Sequence, residues 1–270
     1  MKVKLLQMTE NPIDIMWVAA RTCYSAKSPV EIWEDVHPII EERECYTEEY
    51  CEKLQEDLNK QADKHWNLVK KVLDSGHQSI AEYVYFTFAI EGISRACSHQ
   101  LVRHRAGVVF SQQSQRYVEI KESFDTISEL FENPKTDEDE KYLLSVATKY
   151  FTNVTVDNYR MYIQSLLSYL QGIKLGMKPE DARTFLPNAT KTNIMMGINL
   201  RELMHVSHLR LCSRAQTPIR QLFKEIKKEV EAKDPRIASL LVPSCEVHNI
   251  CFEGKSCHRK PTLEDLKLIS

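Results

Sequence analysis

Seven glycines in 270 residues, with neither a G-x-G-x-x-G nor a G-x-x-x-x-G-K-[ST] pattern among them, exclude the Rossmann and P-loop devices for cradling phosphates. A phosphate-bearing ligand must then be held by side chains, and one stretch has the composition for it. No acid lies between Glu91 and Glu119, although 38 acids in 270 residues would place about four in a window of that length. Within it, Ser98–Tyr117 reads SHQLVRHRAGVVFSQQSQRY and gathers Arg103, His104, Arg105 and Arg116 with Ser111, Gln112, Gln113, Ser114 and Gln115. Guanidinium forks match phosphate oxygens in pairs, and the hydroxyls and amides can complete the hydrogen bonding of a sugar or base. A solvated basic helix face is the other reading of such a run, and composition leaves both open.

The rest of the chain narrows the class. A 43% hydrophobic content over this length supplies a core for one large domain or two small ones, and a net charge of −2 argues against a general nucleic-acid binder. No window approaches 18 apolar residues, and the N-terminal MKVKLLQMTENPID lacks the apolar run of a signal peptide, so no membrane association and a cytoplasmic location are expected. The eight cysteines are scattered, which in a reducing compartment suits buried thiols or metal ligands better than disulfides.

Periodicity predicts an edge strand over Lys2–Met8, then a helix from Asn11-Pro12 to about Thr22. Residues 26–45 read as a connection with a short helix at most. Thr47 opens a long helix ending at Ser75-Gly76, with Leu54, Leu58, Trp66, Val69 and Val72 on one face. Tyr83–Ile90 reads as a strand, and Ile93–Val102 as a helix that delivers Arg103–Arg105 at its C-terminal end, where Ala106-Gly107 breaks it. Val108–Phe110 is too short to classify. Residues 120–139 read as an acidic loop and 140–172 as one long helix. A short helix starts at Pro179 and ends at Leu186-Pro187-Asn188, followed by a strand over Thr190–Ile198. Asn199 and Glu202 predict a capping box for a helix over Leu200–Cys212, and Thr217–Ala232 closes the pattern.

A second acid-poor region runs from Asp181 to Glu225 with Glu202 its one acid, while Arg183, Lys191, Arg201, His205, His208, Arg210 and Arg214 accumulate. Arg201, His205 and His208 fall at i, i+4 and i+7 on one helix face, leaving Leu200, Leu203, Met204 and Leu211 for the core.

The order Arg103-His104-Arg105, eight residues, then Ser114-x-Arg116-Tyr117 resembles the signature of the flavin-dependent thymidylate synthases. Two further blocks resemble the same family, His77-Gln78-Ser79-Ile80-Ala81-Glu82 upstream and Arg183 through Gln216 downstream, so the likeness spans roughly residues 70 to 220. The resemblance implies an α+β fold, a mixed sheet flanked by helices, as a single domain over 1–270 with a Cys/His-containing tail at 234–270. It implies methylation of deoxyuridylate (dUMP) to thymidylate (dTMP) with 5,10-methylenetetrahydrofolate as one-carbon donor, FAD as hydride carrier, NADPH as reductant, and a homotetramer with shared sites.

Residue by residue, it places Ser79, Arg103, His104, Arg105, Asn199 and His205 at the flavin, with Arg201 and Arg214 as weaker candidates. Gln100, Arg103, Ser114, Gln115, Arg116, Arg183 and Arg210 fall at the dUMP site, and His77 and Tyr117 where folate stacks on flavin. Arg210 is the expected catalytic residue, stabilising charge on the uracil ring without a cysteine nucleophile. The sequence departs from the family at Gln112, where many relatives carry Glu, and at Cys23, where a flavin-contacting serine is common. The readings left open are a folate- and flavin-dependent uracil methylase acting on RNA and a non-enzymatic nucleic-acid-binding module. Stable nucleic-acid binding is not expected. In the tail, Cys245, His248, Cys251, Cys257 and His258 are possible zinc ligands, but their spacings fit no standard finger and no metal is assigned.

Overall fold

The computed structural model describes residues 1–36 and 48–267, without the side chains of 48–59. Its centre is a four-stranded sheet of β1 (Lys2–Met8), β2 (Tyr85–Ser94), β3 (Val108–Gln112) and β4 (Lys191–Asn199) in the order β1-β2-β4-β3. Every pairing in it is antiparallel, with Phe88 opposite both Leu5 and Met196, and Phe110 opposite Met196 from the other side. Strand alternation sends Phe86, Phe88 and Ile90 of β2 and Ile194, Met196 and Ile198 of β4 into the core. The opposite face leaves Tyr85, Val109 and Met195 exposed.

Helices α1 (Pro12–Thr22), α2 (Pro29–Val36) and α3 (Glu48–Asp74) pack together beside this core. Val69 and Leu73 of α3 are buried, and the buried His65 ring stacks on Trp17 and bonds to Asp14 at 2.7 Å. The predicted α3 start at Thr47 and the contributions of Leu54 and Leu58 lie outside the described residues, as does most of the 26–45 connection beyond α2.

Two sequence expectations are corrected on the helical side. The "acidic loop" contains α5 (Phe124–Glu132), capped by Ser123, whose hydroxyl accepts from Thr126 N–H, with Ile127 turned into the core. The single long helix is two, α6 (Asp137–Tyr150) and α7 (Tyr159–Lys174). Between them Phe151 pairs with Thr190, Thr152 N–H donates to Ala189, and Asn153 turns the chain at φ 60°. These helices and α8 (Pro179–Ala182) enclose a second core around Ile127, Leu143, Ile163, Leu166 and Tyr169.

The motif residues are presented by α4 (Arg95–Leu101) and α9 (Leu200–Arg210). α10 (Thr217–Glu231) lays Ile219, Leu222, Phe223, Ile226 and Val230 against the sheet, and α11 (Pro235–Ser239), α12 (Ser244–His248) and α13 (Leu263–Lys267) complete the C-terminal part.

Candidate active site

Two residues, Asn199 and Gly107, fix where the motif groups point. Asn199 ends β4 and caps α9, its side-chain oxygen accepting from Glu202 N–H at 2.9 Å. The reciprocal arm of the predicted capping box is replaced, because Asn199 N–H donates to Gly107 C=O at 2.9 Å. Gly107 sits at φ +59°, where a Cβ would come within 2.2 Å of the Asn199 side-chain nitrogen. Only glycine therefore allows the chain after Arg103–Arg105 to turn against the start of α9. Asn199 is thereby buried and committed to holding the turn.

This turn brings the Arg-His-Arg triplet onto α9. The Arg210 Nε–H donates to His104 Nε2 at 3.1 Å, and His104 Nδ1 lies 3.9 Å from Glu202. An Nε2 that accepts requires the proton on Nδ1, the nitrogen facing the carboxylate. Burial first, then the charges of Arg210 and His205, push the His104 pKa down to about 4, so the ring is neutral at physiological pH and its lone pair steers Arg210. Cys97, close enough to feel the Arg210 charge, is pushed up to about 11 by burial and stays a thiol.

Around this pair, Arg103 and Arg105 are exposed and make no ion pair with any described residue. Arg201 and His205 are exposed on α9 as their spacing predicted; His208 is half-buried, its pKa lowered by burial and then by His205 and His248. Arg201 is paired with Glu82. The 3-10 segment Gln78–Tyr83 packs on α9, with Ser79 exposed in it and His77 exposed just before it. Gln100, half-buried, donates to Gln216.

The remaining nucleotide candidates gather at the other end of α4, about 10 Å of helix away. There Arg95, unremarked in the sequence reading although it falls in the same acid-free window, donates to Gln113 C=O at 3.3 Å, Thr192 Oγ1 at 3.4 Å and Gln115 Oε1 at 3.2 Å. Burial, and then the nearby charge of Arg183, lowers its pKa. Two guanidiniums close enough for one to feel the other's charge leave positive potential at this end of α4. Ser114 Oγ accepts from Arg116 N–H at 3.2 Å, and the Arg116 guanidinium lies over the Tyr117 ring, which is 80% exposed. Gln112, at the departure from the family pattern, donates to Ser98 Oγ at 2.8 Å and Thr192 Oγ1 at 3.2 Å, so a neutral amide fills that position structurally.

The space between acids in sequence is not space without acids in the fold. Glu180 pairs with Arg116 at 3.0 Å, and Glu82 and Glu202 approach Arg201 and His104. Arg214 stands apart from the triplet and lines a cavity with Cys212 and the tail. Cys23 is exposed at the end of α1. Among the described residues, no group of three or more His, Cys, Asp or Glu is arranged to hold a metal ion as it stands.

The fold and these side chains define an α+β protein that gathers guanidiniums and a neutral imidazole at the two ends of one short helix. A profile of the family described as "Thymidylate synthase complementing protein" matches residues 4–236. A flavin-dependent thymidylate synthase of Clostridium tetani is 35% identical over 278 residues, covering 99% of this chain and 97% of the relative. One from Geobacter sulfurreducens is 35% identical over 255 residues, 94% and 92% of the two chains. The chain belongs to this family. In fold it is similar to a flavin-dependent thymidylate synthase of Helicobacter pylori solved with FAD and dUMP, with a TM-score of 0.63 at 22% identity over 90% of this chain and all of that one. It is also similar to PolB, a UMP/dUMP methylase of Streptomyces cacaoi, with a TM-score of 0.58 at 18% identity over 88% of this chain and 93% of that one.

Proposed function

We propose that the protein methylates dUMP to dTMP, taking the one-carbon unit from 5,10-methylenetetrahydrofolate and using FAD with NADPH as the hydride source. The observation that carries this reading is Arg210, pinned by a neutral His104 beside Arg103 and Arg105, which pair with no acid among the described residues.

FAD fits the residues present. With no glycine loop, its diphosphate has to be met by side chains, and Arg103 and Arg105 carry that charge on the surface between α4 and β3, with His205 and Ser79 on neighbouring elements. Asn199 contributes by holding the turn that presents them. When bound, FAD supplies the hydride chemistry, which no side chain can perform.

The chain's own part is positioning and charge. Arg210 remains protonated while negative charge develops on the uracil ring, so it stabilises that charge without giving up a proton. His104 keeps the fork aimed by accepting from Nε. Ser114, Gln115, Arg116 and Arg183 bind the nucleotide, joined by Arg95, which holds Gln115. A cysteine nucleophile is not needed, and Cys97 is too weak an acid to serve as one. His77 and Tyr117, both exposed rings, stack the folate.

The division of the nucleotide residues supports a site shared between subunits. Gln100, Arg103 and Arg210 belong to one end of α4, and Ser114, Gln115, Arg116 and Arg183 to the other. In a homotetramer one copy's first group meets another's second, and the exposed Tyr85, Val109 and Met195 suit burial between copies. A cytoplasmic location accords with free cysteines and with soluble substrates.

The test is the flavin. The purified protein should be yellow and retain FAD, and Arg105→Ala should weaken that retention. A protein that is colourless and does not take up added FAD would remove the reading.

A further inference from the structure

Half of the chain's eight cysteines line one cavity of about 190 Å³ beside the end of α9. Cys212 lies two residues beyond Arg210, and Cys245, Cys251 and Cys257 come from the tail, past the residues matched by the family profile. Cys212 lies in the bend after the Leu211 C-cap of α9, Cys245 is in α12, and Cys251 is fixed by a bridge to Thr262 and by its N–H donating to Pro261 C=O at 2.8 Å. Cys257 is exposed on the connecting loop.

One of these thiols already accepts a backbone donor, since Arg214 N–H donates to Cys212 Sγ at 3.4 Å. Backbone donors to sulfur are what a thiolate bound to a metal requires of its surroundings. The Arg214 and Arg259 side chains also line the cavity. Four thiolates around a divalent ion leave two negative charges, and these two guanidiniums match them. Ser213 lines the same space, and its buried hydroxyl, without a partner at normal hydrogen-bond distance, faces the Cys257 thiol, whose pKa it lowers ahead of any other group. His248, by contrast, packs edge-on against Phe252 at 5.5 Å, and neither it nor His258 lines the cavity.

We infer that Cys212, Cys245, Cys251 and Cys257 form a closed tetrathiolate site for a divalent thiophilic ion of the zinc class, which fastens the tail to the end of the helix carrying Arg210. The thiols stand around the cavity without yet converging. Binding draws them in, with the exposed Cys257 loop closing the set and the thiol protons released to solvent. With all four positions taken by protein, the ion has no open position for substrate, and its role is structural.

The test uses untagged full-length protein, produced with added zinc, with metals measured by plasma mass spectrometry and FAD measured on the same samples. The expected result is about one zinc per chain, falling below about a tenth in Cys212→Ser and Cys257→Ser but unchanged in Cys23→Ser. Because Cys257 is exposed, its variant should fold, which a thermal melt checks. Cobalt(II) added to metal-depleted protein should give intense ligand-field bands to the red of flavin absorption, lost in Cys257→Ser. Zinc-free wild-type protein without those cobalt bands would overturn the inference. So would zinc retained by Cys212→Ser, iron with acid-labile sulfide in place of zinc, or a disulfide among the four cysteines. FAD content and dTMP formation report on the nucleotide chemistry separately, so either reading can fail without the other.

Discussion

Replacing His104 by Ala should impair the reaction through Arg210, not through loss of the flavin. In the structure the imidazole donates nothing to Arg210; it accepts the Nε–H at 3.1 Å and fixes one edge of the guanidinium. A hydrogen bond from a charged donor contributes about 1.5 to 3 kcal/mol, so its loss should lower kcat/KM for dUMP by roughly 10- to 150-fold. His104→Gln, which keeps an acceptor oxygen on a side chain of similar reach, should recover part of that loss. The assay is steady-state dTMP formation with FAD saturating and a thermal melt alongside. The pH dependence has a defined sign. With the folded pKa near 4 and the usual value 6.5, the unfolded chain binds the proton first, so this group's contribution to stability is lost as pH falls from 6.5 toward 4. Arg210 loses its acceptor only as pH passes below about 4. Equal kcat/KM in wild type and His104→Ala at unchanged stability would refute the positioning role, as would an NMR titration placing His104 near 6.5.

Two further substitutions test the surrounding structure. Ser114→Ala should raise the dUMP requirement several-fold or more while leaving turnover at saturation, since one lost contact costs about 1 to 3 kcal/mol and no base adjoins the hydroxyl; a folded variant that binds dUMP and flavin but makes no dTMP would instead restore a nucleophile. Gly107→Ala should destabilise the protein by about 2 kcal/mol or more, because the added Cβ meets Asn199 in a backbone conformation that disfavours side chains; an unchanged melting temperature would contradict that.

Much of the scaffold was legible where punctuation was strong. Pro12 and Pro179 mark helix starts, Gly76 marks a stop, alternation marks β1 and aromatic and β-branched content marks β2, whereas α4 ends at Leu101, well before the break expected at Ala106-Gly107. The break between α6 and α7 was not, because it depends on Phe151 and Thr152 pairing with residues some 40 positions away. α5 was obscured by its acids, although Ser123 and the spacing of Phe124, Ile127 and Phe131 carry a local signal. At the site, the motif residues were readable but their grouping was not. That Arg95 joins Gln115 and Arg183, while Arg210 joins His104, follows from strand order and the length of α4. Arg116 and Arg201 looked uncompensated because their partners Glu180 and Glu82 are far off in sequence.

The central claim is tested most directly by mass spectrometry of the nucleotide product. Purified protein loaded with FAD is incubated with dUMP, 5,10-methylenetetrahydrofolate and NADPH, and the account predicts dTMP, formed only when all three substrates are present and much reduced in Arg210→Lys, which keeps the charge but not the planar fork. Fully flavin-loaded wild-type protein that yields no dTMP under these conditions would contradict it.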